Sequence, residues 1–181
     1  MIVSAHEGYP RWINSGADYI EIDIRRSAEG AFIVSHDEPR PGAKLVTLTE
    51  VLDKSRGRVG IQLDLKGEGW ELDLIEETGV DRVVITTPSH ASIDTIKSKY
   101  PNLKCGLTRQ FAEQTDADFL ALDQRHVTED SLELCDRYAI PVWVWTVDDK
   151  RLMRRLINDW RVHGIITNLP DLALKLRRAR S

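Results

Sequence analysis

The chain has 181 residues, of which 41% are hydrophobic and 30% charged, and its formal net charge is −4. This profile predicts a single folded domain over residues 1–181 with a sizeable core, and it excludes a disordered chain. The acidic balance argues against a nucleic-acid partner, and no apolar run approaches the roughly 18 residues of a membrane helix. Because the first residues carry no signal-peptide pattern, we expect a cytoplasmic protein. Cys105 and Cys135 lack CxxC spacing, so we expect them to be reduced, structural thiols.

Short β-branched runs alternate with helix-length amphipathic segments along the chain. The eight runs are 2–5, 19–24, 59–65, 82–86, 103–107, 118–122, 141–147 and 164–167. Alternation of this kind implies parallel pairing, and eight units predict an α/β fold, a closed (β/α)8 TIM barrel. No glycine-rich dinucleotide fingerprint favours an open sheet instead. Since this fold usually takes about 200 to 400 residues, the connections must be short, and a first helix at about 9–16 has barely two turns.

A ninth apolar run, residues 31–36, follows the second strand after only a few residues. Such a connection is too short for a parallel crossover, so we expect a short antiparallel hairpin. A turn centred between Ala28 and Glu29 would place His36 opposite Glu21. A bulge at Gly30 would shift this register by one residue.

The second strand carries acids on the face that should point into the barrel. In the segment YIEIDI, the isoleucines share one face, while Glu21 and Asp23 share the other. The segment GIQLDLKG repeats the pattern and adds Asp64 and Lys66 to the interior. Three carboxylates near one rim suit a hard divalent cation, Mg²⁺ or Ca²⁺, and Lys66 could neutralise an acid or hold a phosphate.

Two histidines are expected beside these acids. Alternation from Ile2 sends His6 inwards at the carboxyl end of the first strand, where barrel enzymes hold their active sites. His36 arrives from the hairpin. One histidine could then accept a proton while the other donates one, although the sequence does not indicate which does which.

These segments resemble the glycerophosphodiester phosphodiesterase family and the related sphingomyelinase-D-type phospholipases. The similarity covers nearly the whole chain, and its motifs are, in order, AHEG, GADYIEIDIRRSAEGAFIVSHDEP, VTLTEVL, LDLKG, IPVWVWTVDD and GIITNLP. Their order and spacing carry the resemblance together.

The resemblance implies a (β/α)8 barrel enzyme that hydrolyses a phosphodiester, a small-molecule substrate, with a divalent metal. The residues it assigns are the metal ligands Glu21, Asp23 and Asp64, the acid–base pair His6 and His36, and the substrate-binding residues Lys66 and Trp145. Barrel packing explains Trp145 equally well. The remaining histidines match no family position and are expected to be structural or on the surface: His90, His126 and His163.

Several positions depart from the family pattern. Glu7 stands where the family usually has a phosphate-binding arginine, Asp64 replaces a common glutamate, and Asn168 replaces an aspartate. The insertion that normally follows the second histidine is missing, so we expect a more open site. Four arginines could supply the lost phosphate contact: Arg25, Arg26, Arg40 and Arg125.

Two alternatives stay open at this point. The open site would admit a lipid, which predicts cleavage like that of a lysophospholipase D. A barrel with an acid in place of the phosphate-binding arginine could also bind metal and phosphate without catalysis. The alcohol group of the substrate and the oligomeric state leave no mark in the sequence.

Overall fold

The structure is a computed structural model that describes residues 1–40 and 42–180. It contains ten strands in one sheet: Ile2–Ala5 (β1), Tyr19–Arg26 (β2), Phe32–Val34 (β3), Val46–Thr47 (β4), Gly60–Leu65 (β5), Val83–Thr87 (β6), Lys104–Arg109 (β7), Phe119–Asp123 (β8), Val142–Trp145 (β9) and Val162–Thr167 (β10). The helices are Leu48–Ser55 (α1), Glu71–Thr78 (α2), His90–Lys99 (α3), Glu129–Arg137 (α4), Lys150–Asn158 (α5) and Pro170–Arg178 (α6), with a short 3₁₀ helix at Gln124–His126.

The barrel predicted from the sequence is confirmed. All strands except β3 and β4 pair in parallel in the order β1-β10-β9-β8-β7-β6-β5-β2, and a further β1–β2 pairing closes the sheet. Arg177 of α6 reinforces the closure, because its guanidinium donates to the Met1 carbonyl at 3.0 Å and also contacts Asp18. The last helix is thereby tied to the first strand.

Four helices, α1, α3, α4 and α5, begin after a side-chain cap. Thr47, Ser89, Thr128 and Asp149 each accept a hydrogen bond from the backbone of the following first turn. The buried face of each helix packs on the outward-facing aliphatic residues of the strands, which include Ile20, Ile22, Ile24, Leu63 and Leu65. These outward faces were predicted from the alternation along the strands.

Aromatic rings fill the interior of the barrel towards the amino-terminal ends of its strands. Phe119 stacks on Trp143 with ring centroids 4.3 Å apart, and Tyr19 lies 6.0 Å from Trp143. Neighbouring strands make room for these rings with glycines, at which a Cβ would lie within 3.0 Å of a ring atom: Gly60, Gly106 and Gly164. The amino-terminal half of the barrel interior is therefore packed, and the interior opens towards the carboxyl end of the strands.

The predicted helix at 9–16 is wrong, since this segment contains only turns. The amide of Trp12 donates to the Gly8 carbonyl, which completes one turn. Beyond this turn, Ser15 Oγ competes for the backbone by donating to the Trp12 carbonyl. The connection from β7 to β8, residues 110–118, likewise has no helix. Within the residues that the structure describes, six α-helices thus accompany the eight parallel strands. The two missing helices save the residues that allow a short chain to form a closed barrel.

The predicted hairpin is present, but its expected register is wrong by one residue. β3 pairs with β2 antiparallel, with Val34 opposite Ile24 and Phe32 opposite Arg26, so the turn is centred on Glu29. Gly30 adopts φ +89° at the end of this turn, as three-residue hairpin loops require. His36 therefore does not pair with Glu21. β4, which was not predicted, pairs with β3 on its other side.

Candidate active site

The three acids predicted as metal ligands lie together at the carboxyl end of the barrel. Glu21 and Asp23 project inwards from β2 and Asp64 from β5, and Asp23 and Asp64 are direct partners in the strand register. One carboxylate oxygen of each residue lies within 4.8 Å of the others. Such a set of oxygen donors could hold a hard divalent cation.

The carboxylate of Glu21 lies in an electrostatically unfavourable environment. It is 4% exposed, and burial together with the neighbouring Asp64 and Asp23 carboxylates raises its pKa well above the usual range. The Glu7 amide, at a residue with φ 43°, donates to Glu21 Oε2 at 3.0 Å. A single neutral donor does not balance the repulsion, so the group needs a nearby positive charge.

Lys66 supplies part of that charge. Its Nζ lies 2.9 Å from Asp23 Oδ1 and 2.6 Å from Asp64 Oδ2. Burial disfavours the ammonium form, but the two carboxylates outweigh this and raise the pKa of Lys66. One positive charge against three carboxylates leaves an excess of negative charge, which fits the binding of a divalent cation by these residues.

His6 is held by a chain of hydrogen bonds that crosses the closure of the barrel. Its Nδ1 lies 3.1 Å from Asn168 Oδ1, while Asn168 Nδ2 and its backbone amide donate to Asp148 at 2.7 and 2.9 Å. Because the Asn168 amide nitrogen is turned towards Asp148, its oxygen faces His6, and His6 Nδ1 must donate. The other ring nitrogen, Nε2, is left available to a substrate.

Sequence reasoning noted Asn168 only as a departure and missed Asp148. Burial opposes the charged form of Asp148, but the hydrogen bonds from Asn168 and Thr167 lower its pKa. Their positions in the sequence could have indicated them. Both residues directly follow predicted strands, in the TVDD and GIITNLP segments, and the loops after parallel strands of a barrel all lie at the same rim.

His36 reaches the same cavity although its predicted strand partner was wrong. Its carbonyl accepts hydrogen bonds from Arg25 Nε at 3.1 Å and Arg25 Nη2 at 3.0 Å, which hold the segment after β3. His36 Nδ1 lies 2.9 Å from Asp37 Oδ1, so Nε2 is again the free ring nitrogen. The His36 side chain is 63% exposed, whereas Glu21 and Asp23 are buried and Asp64 is half-buried.

All seven residues predicted for the site line one cavity of about 220 Å³. They are His6, Glu21, Asp23, His36, Asp64, Lys66 and Trp145, and the other walls include Thr86, Thr108 and Ile166. The indole of Trp145 donates to the Ala121 carbonyl at 2.9 Å, so this residue both packs against the barrel wall and lines the cavity.

Most candidate phosphate-binding arginines are engaged elsewhere. Arg25 holds the carbonyl of His36, and the side chains of Arg26 and Arg125 pair with Asp73 and Asp123. Glu7 is exposed at the edge of the site. Three histidines lie outside the cavity lining, as expected: His90, His126 and His163. No helix within residues 1–40 and 42–180 is long and apolar enough to cross a membrane.

The fold and the site together define a class of protein: a (β/α)8 barrel in which three acids that could hold a cation share a cavity with two histidines. No protein-family model matches the chain. The chain is 26% identical to the glycerophosphodiester phosphodiesterase of Caldanaerobacter subterraneus subsp. tengcongensis over 219 aligned positions, which cover 94% of this chain and 90% of that protein.

Solved structures share the fold. A glycerophosphodiester phosphodiesterase from Parabacteroides distasonis superposes with a TM-score of 0.83 at 19% identity, covering 99% of this chain and 97% of the other. A phosphodiesterase from Oleispira antarctica, solved with the product sn-glycerol-3-phosphate, gives 0.81 at 15% identity, with 97% and 96% covered. The resemblance stated from the sequence is confirmed: over at least 90% of its length the chain is similar to two glycerophosphodiester phosphodiesterases, which are phosphoric diester hydrolases.

Proposed function

We propose that this protein hydrolyses glycerophosphodiesters to glycerol phosphate and an alcohol. The observation that carries the proposal is that two histidines and a triad of acids line one cavity at the carboxyl end of the barrel. The similarity to glycerophosphodiester phosphodiesterases over 94% of the chain supports this chemistry. So does the product, sn-glycerol-3-phosphate, bound by the related barrel from Oleispira antarctica.

The acids Glu21, Asp23 and Asp64 would hold the divalent metal, Mg²⁺ or Ca²⁺. A bound divalent metal neutralises charge on phosphoryl oxygens and orients the nucleophile. Lys66, with its Nζ between two of these acids, would face the phosphate as a fixed positive charge. Trp145 would contact the alcohol portion of the substrate.

His6 and His36 would carry the protons. In each ring Nδ1 is engaged, by Asn168 Oδ1 or Asp37 Oδ1, so each presents Nε2 to the substrate. One Nε2 accepts the proton of the attacking hydroxyl, and the other, protonated, donates to the leaving alkoxide. The nucleophile is a water molecule, which gives glycerol phosphate directly, or the neighbouring hydroxyl of the substrate, which expels the alcohol and gives a cyclic phosphate that a water molecule then opens to glycerol phosphate.

The test is the rate of glycerophosphocholine hydrolysis by two variants, His6→Ala and His36→Ala. Each should lose activity by at least about 100-fold, because general acid–base catalysis contributes about 10²- to 10⁴-fold, while the melting temperature and metal binding stay unchanged. His163→Ala is the matched control, since this exposed histidine lies outside the cavity. Normal turnover by either cavity variant would overturn the proton-transfer assignment.

Metal dependence is tested separately with EDTA. Chelation should abolish hydrolysis, and MgCl₂ or CaCl₂ should restore it. Full activity in the presence of the chelator would reject the role given to the acids. Protein that binds metal but cleaves no phosphodiester would instead be a non-catalytic binding barrel.

A second candidate substrate is a lysophospholipid. Phe111 and Leu169, which follow β7 and β10 at the same end of the barrel as the cavity, are 63% and 42% exposed. Exposed apolar side chains beside a site could contact an acyl chain. A higher kcat/KM for lysophosphatidylcholine than for glycerophosphocholine, lowered by Phe111→Ser, would favour the lipid.

A further inference from the structure

Gln62 is a buried polar residue in the cavity with one unsatisfied atom. It projects inwards from β5, and its direct partner in the register is Glu21 of β2. The side chain is 1% exposed and lines the cavity. Across residues 1–40 and 42–180, no group donates a hydrogen bond to Gln62 Oε1. Buried carbonyl oxygens are rarely left without a hydrogen-bond donor, so we expect a ligand to contact this atom.

The hydrogen bonds around Asp64 determine which end of the Gln62 amide is left free. Thr86 Oγ1 donates its only proton to Asp64 Oδ1 at 2.7 Å. The same oxygen must then accept, and it does so from Gln62 Nε2 at 3.2 Å. If the amide were reversed, two oxygens without a proton would face each other. The carbonyl oxygen is therefore the end that remains for the cavity.

We propose that Gln62 Oε1 is a fourth protein oxygen ligand of the cation held by Glu21, Asp23 and Asp64. The inference rests on the proposed function only in taking this acidic centre as a cation site. A side-chain amide oxygen is an ordinary ligand of Ca²⁺. A cation satisfies the oxygen directly, and Lys66, the nearby ammonium, is already committed to two carboxylates.

An additional neutral ligand should matter more for Ca²⁺ than for Mg²⁺. Ca²⁺ takes six to eight oxygens at flexible distances, whereas Mg²⁺ dehydrates reluctantly and keeps several waters. Loss of the amide oxygen should therefore weaken Ca²⁺ binding by about 10-fold or more and Mg²⁺ binding by less.

The experiment is calorimetric titration of metal-free protein with CaCl₂ or MgCl₂ alone, without substrate. Gln62→Met keeps the side-chain length but removes both the oxygen and the N–H donor. Gln62→Glu keeps an oxygen but removes the donor to Thr86. Gln124→Met is the matched control, because Gln124 lies outside the cavity lining. Thermal melts in EDTA verify that each variant is folded.

The proposal expects weaker Ca²⁺ binding in Gln62→Met and binding at least as tight as wild type in Gln62→Glu. In crystals grown with CaCl₂, Gln62 Oε1 should lie about 2.3 to 2.6 Å from the ion. Unchanged binding in Gln62→Met would overturn the proposal, and so would equal weakening in both variants, which would assign the effect to the Thr86 hydrogen bond. If the wild-type protein binds no cation, the metal role in the proposed function fails together with this inference. If it binds and Gln62→Met binds equally, only the inference fails.

Discussion

Glu21→Gln should stabilise the metal-free protein while removing its response to metal. The substitution keeps the shape of the side chain and an oxygen that can accept the Glu7 amide, which donates at 3.0 Å. It removes one of three carboxylate charges that lie within 4.8 Å of one another. Each repulsion at that distance amounts to about 3.5 kcal/mol at an effective dielectric constant of about 20.

Lys66 offsets part of this repulsion, because its Nζ lies 2.9 and 2.6 Å from the two aspartates. Glu21 then keeps the equivalent of about one carboxylate–carboxylate repulsion. Because solvent at the cavity mouth screens it, we reduce this repulsion energy to about 1–3 kcal/mol. For a domain of this size, 1 kcal/mol shifts the melting temperature by about 2–4 °C. Glu21→Gln should therefore melt about 2–12 °C above wild type in EDTA.

The difference should grow with pH. The pKa of Glu21 is raised in the folded protein above its ordinary value of 4.5, so the folded state binds the proton more tightly than the unfolded state. The stability that this proton contributes is complete below about pH 4.5 and is lost as pH rises through the raised folded pKa. The melting temperature of the metal-free wild type should consequently fall relative to that of Glu21→Gln as the pH rises above about 4.5.

The assay is differential scanning calorimetry in EDTA, CaCl₂ and MgCl₂ at several pH values. Metal that binds only the folded state should raise the melting temperature of wild type, and this rise should shrink in the variant. Glu68→Gln, an exposed acid, should behave as wild type. A lower melting temperature of Glu21→Gln in EDTA at every pH, or an undiminished rise with metal, would refute the reasoning.

Three further changes test neighbouring parts of the site. Lys66→Met should lower kcat/KM by about 100-fold or more and lower the melting temperature in EDTA; an unchanged melting temperature would contradict its role in neutralising the acids. Asp148→Asn should reduce kcat/KM by about 10- to 100-fold with little change in stability, because Asn168, which orients His6, loses the acceptor of its Nδ2 group. Full activity of this variant would mean that the hydrogen bonds from Asp148 through Asn168 to His6 are not needed for catalysis. Glu7→Gln should raise kcat/KM for an anionic phosphodiester about 2- to 5-fold at low salt, an effect that vanishes near 0.5 M salt (roughly a 4 Å screening length); an increase independent of salt would reject a charge effect.

Alternation along single strands was enough to predict the acids of the site from sequence. The side chains of a strand point to opposite faces in turn, so the isoleucines of β2 must meet the helices and Glu21 and Asp23 must enter the barrel. The same rule applies to Asp64 and Lys66 on β5. These are local properties of the chain, which is why they hold in the structure whatever the lengths of the connections.

Turns and connections were predicted less well, because their geometry depends on small differences. The position of Gly30 in the turn shifted the hairpin by one residue, which removed His36 from its expected place opposite Glu21. His36 nevertheless reaches the cavity, since the Arg25 guanidinium holds its carbonyl. In the first connection, where the barrel pattern predicted a helix at 9–16, the Ser15 hydroxyl instead donates to the Trp12 carbonyl and the segment forms no helix.

The sequence by itself determined the barrel, the faces of its strands and the residue types that enter its interior. Only the tertiary structure decided which of those residues touch. Asn168, which Asp148 holds in place, meets His6 because closure brings β10 beside β1, at a separation of more than 140 residues along the chain. The orientation of Gln62 likewise follows from a hydrogen bond to another strand. No local sequence pattern predicts the direction of a hydrogen bond between distant segments, whereas alternation along a strand predicts whether a side chain points inwards or outwards.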